Sequence, residues 1–151
     1  MSTLVNQLRR DLRPVIALSL LLGIAGCDES TPPEEEPEVV TMRLTVGTSS
    51  VEVEGGTVTG GPLMVPAGNA TLTVEWLRAD GTADPLVTDA EFQLNATVSN
   101  TAVLTMTRAS AFSFTVNGLQ SGQSTAVEFA LFHLEEQHED FGPFPVTVQV
   151  Q

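Results

Sequence analysis

The sequence contains no Lys, no Tyr, one Cys and one Trp, and each shortage removes a class of function. Without Lys there is no P-loop nucleotide site and no Schiff-base chemistry. A single Cys cannot form an internal disulfide or a Cys-rich zinc site. Positive charge is scarce: six Arg stand against 19 Asp and Glu, for a formal net charge of −13. That balance argues against binding the phosphate backbone of nucleic acid. Long apolar runs are missing too. The stretch at residues 15–25 has eleven residues, whereas a bilayer span needs about 20. What the chain holds in excess is Thr and Val, 18 of each in 151 residues, and both favour strands. A chain of this length is expected to form one domain.

The first 26 residues read as an address. Arg9, Arg10 and Arg13 precede the apolar stretch Val15–Ala25, the order of a positive n-region and an h-region in a secretory signal. Leu and Ala content predicts a helix over residues 14–26. The stretch closes on Ile24-Ala25-Gly26-Cys27: a branched apolar residue, two small ones, then the sole Cys. This resembles a bacterial lipobox. The resemblance implies a diacylglycerol on the Cys27 sulfur, cleavage after Gly26 and acylation of the new N-terminus. More than one acyl chain is what stable anchoring requires. Cleavage would leave Arg43, Arg78 and Arg108 against 18 acids, a net charge of −15. Such a surface is repelled by anionic headgroups, so the lipid and not the protein surface would hold the chain at the membrane.

Residues 28–38 carry three Pro and six acids. Such a segment cannot bury a core; it is expected to be a disordered, extended spacer. At about 3.1 Å per residue it would reach roughly 34 Å. The expected organisation is therefore a signal peptide at 1–26, a lipidated Cys with an acidic Pro-rich linker at 27–38, and one domain at 39–151.

From Val39 onward the apolar residues recur with period two. Met42, Leu44 and Val46 alternate with Thr41, Arg43 and Thr45; the same pattern marks Val51–Val53, Leu72–Trp76, Phe92–Val98, Phe112–Val116, Val127–Leu131 and Val146–Val150. Each run is a half-buried strand. Gly- and Asn-rich turn signals separate them, and a further short strand is expected near Ala102–Thr107. Seven to eight strands at this spacing predict an all-β, antiparallel sandwich. Its expected core is Leu44, Val46, Leu72, Val74, Trp76, Phe92, Leu94, Leu104, Phe112, Phe114, Phe129, Leu131, Val146 and Val148.

The stretches Ser99–Met106 and Phe114–Phe129, joined through Gly118-Leu119-Gln120-Ser121-Gly122, resemble the second half of bacterial immunoglobulin-like domains of the invasin-associated kind. The resemblance implies an immunoglobulin-like sandwich and says nearly nothing of function. In that turn the glycines are expected at positive φ, with Leu119 plugging the end of the core. The whole chain also looks like uncharacterised bacterial lipoproteins that end in a His-containing loop, an Asp-Phe pair and a last strand.

Two segments offer ligand chemistry. Both histidines lie in Phe132–Phe141, with Glu135, Glu136, Glu139 and Asp140 around them. By parity His133 continues the inward face of Val127, Phe129 and Leu131, while His138 is expected on the following loop. His133, His138, Glu135, Glu136 and Asp140 make a candidate donor set for zinc or copper(II). The bland alternative is a solvated loop in which Asp140 bonds backbone amides and Phe141 and Phe144 pin it to the sandwich. The second segment places Asp80, Thr82, Asp84 and Glu91 at positions 1, 3, 5 and 12 of a calcium-loop register. Pro85 occupies the position that needs Gly, so a polar connection is the better reading.

Catalysis finds no motif: there is no Gly-x-Ser-x-Gly elbow and no catalytic Cys. The residues therefore suggest a non-enzymatic, lipid-anchored binding or structural module of the bacterial cell envelope, with a metal-binding envelope lipoprotein as the alternative. Its expected partners are the membrane, through Cys27, and an envelope protein or a metal ion. The oligomeric state and the choice of inner or outer membrane stay open.

Overall fold

The computed structural model describes residues 36–151. The signal helix, the lipobox and most of the acidic linker lie outside the described residues. Residues 36–40 have no regular secondary structure, and ten strands follow. They are β1 (Thr41–Val46), β2 (Ser49–Glu54), β3 (Thr57–Thr59), β4 (Leu63–Val65), β5 (Gly68–Leu77), β6 (Phe92–Val98), β7 (Leu104–Ser110), β8 (Ser113–Gly118), β9 (Ser124–His133) and β10 (His138–Val150). One sheet has the order β3-β2-β1-β5-β8-β7, the other β4-β10-β9-β6.

The all-β sandwich is present. Its chain path has the connectivity of an immunoglobulin constant-type domain: β1-β5-β8-β7 takes the place of one four-stranded sheet and β6-β9-β10 that of the three-stranded one. Strands β3 and β4 are additions to the expected count, whereas β2 corresponds to the expected strand at Val51–Val53. A β2–β3 hairpin extends the first sheet beyond β1, and β4 joins β10 in the second. The β4–β10 pair is parallel, so the sandwich is not wholly antiparallel. Strands β3 and β4 have three residues each, too few to display an alternation.

The elements form because the pleat sorts the Thr/Val alternation onto two faces. In β1, Met42, Leu44 and Val46 are buried while Thr41, Arg43 and Thr45 are only half-buried. Between the sheets these meet Leu94, Phe129, Leu131, Val146 and Val148 from the other side. Trp76, 4 % exposed, sits in this core as expected. Of the expected core residues only Phe112 departs. It lies in the β7–β8 turn and is half-buried, with its carbonyl accepting the Val74 N–H. Met42, Val51, Val53, Leu63, Val65, Val116, Val127 and Val150 complete the core.

The Gly118–Gly122 corner connects β8 to β9, but Leu119 does not plug the core; it is 48 % exposed. Buried Val103, Val116 and Val150 already fill that end. Gly122 has the expected positive φ of +77°, whereas Gly118 is needed for a different reason. A Cβ there would lie 2.5 Å from the Pro66 carbonyl oxygen and 2.7 Å from Val150 Cγ1. Close backbone approach, not handedness, demands the glycine.

Candidate metal centre

The site grows from the hairpin of β9 and β10, of ten and 13 residues. Leu134–Gln137 turns the chain between them, closed by the Gln137 N–H donating to the His133 carbonyl at 3.0 Å. His138 thereby enters β10 directly opposite His133. This corrects the expectation that His138 lies on a loop. The turn is tight because Gln137 adopts a positive φ of +59° and its side chain donates to the Leu134 carbonyl.

Facing residues on an antiparallel pair project to the same face, and residues two apart along a strand share that face. His133 and His138 therefore share a face. The register then shifts twice, between Glu139 and Phe141 and between Phe141 and Phe144, and Asp140 is the unpaired residue of the first shift, where it meets both imidazoles. Bulges of this kind commonly re-aim side chains at the edge of a sandwich. Gly142 makes the second possible: its φ is +97°, and a Cβ would meet the Phe129 carbonyl at 2.6 Å. Phe141 and Phe144 pack on the core in contact with each other, and Phe141 meets Trp76 edge-on at 6.0 Å. The expected pinning by these two aromatics is thus present.

His133 is 16 % exposed and stacks on Phe92 of β6 at 4.5 Å. Its ring also lies edge-on to His138 at 5.8 Å. His133 Nδ1 is buried and has no hydrogen-bond partner. Glu136 Oε2 stands 3.8 Å and Asp140 Oδ2 3.7 Å from that nitrogen. His138 lies between the same two carboxylates, with Nδ1 3.3 Å from Glu136 Oε2 and Nε2 2.5 Å from Asp140 Oδ1. One donor atom from each of His133, Glu136 and His138 falls within 4.8 Å of the other two.

The five candidate ligands therefore separate. His133, His138 and Glu136 form one group, Asp140 touches both imidazoles from the strand side, and Glu135 stands apart. Among the described residues, the carboxylates within ion-pair reach of an imidazole are those of Glu136 and Asp140. Glu135 instead lines a cavity of about 210 Å³, whose wall includes Glu36, Leu86, Glu91 and Phe92 beside His133 and Glu136. No sequence signal pointed to Glu36, or to Phe92 as a wall of this site, because β6 reaches the hairpin through its pairing with β9 and Glu36 reaches it from outside any strand. Among the described residues no backbone amide donates to the Asp140 carboxylate, which meets the two imidazoles instead.

The calcium register does not assemble. Asp80 accepts from the Thr82 N–H at 2.9 Å and its hydroxyl at 2.7 Å. Asp84 turns inward, its side chain fully buried, and accepts from the Glu38 and Leu86 amides and from Arg78. Burial pushes the Asp84 carboxyl up. The bonds from Leu86, Arg78 and Glu38 together outweigh it and hold the group below the usual carboxylate range.

No family model matches the chain, and no curated protein sequence matches it. Among solved structures, domains 4 and 5 of the S-layer protein SbsC are similar, at 18 % identity and a TM-score of 0.41. The match covers 78 % of this chain and 54 % of that one, so the chain spans about half its length. The sandwich assignment rests on the strand order itself.

Proposed function

We propose that this chain is a lipid-anchored module on the extracytoplasmic side of a bacterial envelope, acting by binding or as a structural part and not by catalysis. The observation that carries the proposal is Ile24-Ala25-Gly26-Cys27, the sole Cys placed behind a basic and then apolar leader and ahead of an acidic spacer. An immunoglobulin-like sandwich after such a spacer supports the reading as a displayed domain, since such sandwiches present loops and edges to partners. Support for binding over nucleophilic catalysis comes from the sequence, which holds no Gly-x-Ser-x-Gly elbow and no Cys besides Cys27. Mass spectrometry of the detergent-extracted protein tests the anchor. A mature chain beginning at a triacylated Cys27, lost in Cys27→Ala, is expected; an unmodified Cys27 overturns it.

The second reading is a metal-binding envelope lipoprotein, favoured by the pairing of His133 opposite His138 with Glu136 beside both. Two imidazoles and a carboxylate suit zinc or copper(II). The strongly acidic chain adds long-range attraction for cations. Calorimetric titration of the extracted protein with zinc and with copper(II) tests it. Heat of binding that vanishes in the His133→Ala, His138→Ala double variant is expected, and an unchanged isotherm overturns the reading.

A further inference from the structure

Resting on the metal-binding reading, we propose that the ion is held by three residues, His133 through Nδ1, His138 through Nδ1 and Glu136, and that Asp140 is a positioning residue and not a ligand. The two carboxylates lie on opposite edges of the His138 ring: Glu136 at Nδ1, 3.3 Å away, and Asp140 at Nε2, 2.5 Å away. The two nitrogens of an imidazole point in divergent directions, so one ion takes His138 together with only one of these carboxylates. The convergent set of donors is His133, Glu136 and His138, and Asp140 falls outside it.

Burial agrees with the division. The Asp140 side chain is 14 % exposed and sits in the first bulge of β10, whereas the Glu136 side chain is half-exposed on the turn. A ligating histidine usually gives its second nitrogen to a carboxylate, which sets the ring's orientation and raises its basicity. His133 Nδ1, buried without a partner, has a reason to remain so if it is a donor waiting for a cation. Phe92 stacks on that ring, while the Glu136 side chain stands half-exposed on the turn. Two histidines and one glutamate leave a fourth tetrahedral position open, as in zinc sites that keep a water. The cavity of about 210 Å³ borders His133 and Glu136 and gives that fourth ligand room.

The test is titration of the detergent-extracted full chain with zinc by calorimetry and with cobalt(II) by visible absorption. Wild type is expected to bind one ion, with cobalt bands of a four-coordinate site. His133→Ala, His138→Ala and Glu136→Gln should each weaken zinc binding more than about 100-fold. Asp140→Asn should weaken it about 10- to 100-fold, as loss of an outer partner does, and leave the cobalt bands in place. A displaced cobalt spectrum in Asp140→Asn, or unchanged affinity, overturns the assignment of Asp140 while the metal reading stands. Absence of binding in wild type overturns the metal reading itself, and unfolding of a variant is recognised by its circular dichroism, with Asp140→Ser as the replacement.

Discussion

Two polar clusters sit at the same end of the sandwich, and they differ in how their carboxylates are engaged. At Asp84, a buried carboxylate has its bonds closed, accepting from two backbone amides and one guanidinium, although Arg78 Nε beside it is buried without a partner. Those bonds fasten Glu38, where the linker enters the domain, to the loop after β5. At His133, a buried ring nitrogen has no partner, and two carboxylates stand near it at 3.7 and 3.8 Å, beyond hydrogen-bond length. A closed set of bonds stabilises a fold, whereas an open set of donors costs stability unless something binds it. The first cluster was a weak calcium candidate and is structural. The second has the vacant valence a ligand needs.

The largest expected effect comes from Trp76, which touches the first cluster through its backbone and borders the second through Phe141. Its carbonyl accepts the Asp84 N–H, and its ring meets Phe141, next to Asp140. Trp76→Ala should destabilise by about 3–5 kcal/mol in denaturant unfolding and weaken both clusters. A loss well under 1 kcal/mol would separate them from the core and break the comparison.

Asp84→Ala should cost about 1–3 kcal/mol, the range for buried donors left without an acceptor, because the Glu38 and Leu86 amides lose theirs. Proteolysis should then reach the segment before β1 sooner than in wild type. No change in either measurement would remove the structural role.

The depressed Asp84 pKa gives a pH signature of the same contact. The unfolded carboxyl binds a proton more readily than the folded one. The contribution is therefore fully present above the ordinary carboxylate pKa and lost as pH falls through the lower folded value. Thermal melts between about pH 6 and pH 3 should show a shallower acid-side loss in Asp84→Asn than in wild type.

His138→Ala should move stability least, within about 0.5 kcal/mol, since the ring is half-exposed. On the metal-binding proposal it should nevertheless weaken zinc binding more than about 100-fold. A stability loss as large as that of Asp84→Ala would mean that this cluster also serves the fold, and the contrast between closed and open sets would fail.

Much of the sandwich was legible because strand alternation is local: two residues suffice to assign a face, and Leu44, Leu72, Leu94 and Phe129 fell inside as their parity requires. The same parity placed His133 at the edge of the core. It did not reveal that Leu134–Gln137 forms a turn short enough to set His138 opposite His133. Leu119 misled for a related reason: an apolar residue in a corner reads as a plug only if the space is free, and Val103, Val116 and Val150 had taken it. Gly118 read as a handed turn residue, whereas its neighbours Pro66 and Val150 come from distant parts of the chain.

By itself, the sequence determined the order of a basic and then apolar stretch, Cys27, an acidic Pro-rich stretch and the β domain, the identity of the strands long enough to alternate, and the residue types available for a metal. These follow from composition and from near-neighbour periodicity, which folding does not alter. Tertiary structure alone decided that β4 runs parallel to β10, that Asp84 is a buried anchor, and which carboxylate each edge of His138 faces. Those outcomes depend on strand register and on bulges in β10, where a shift of one residue moves a side chain to the other face.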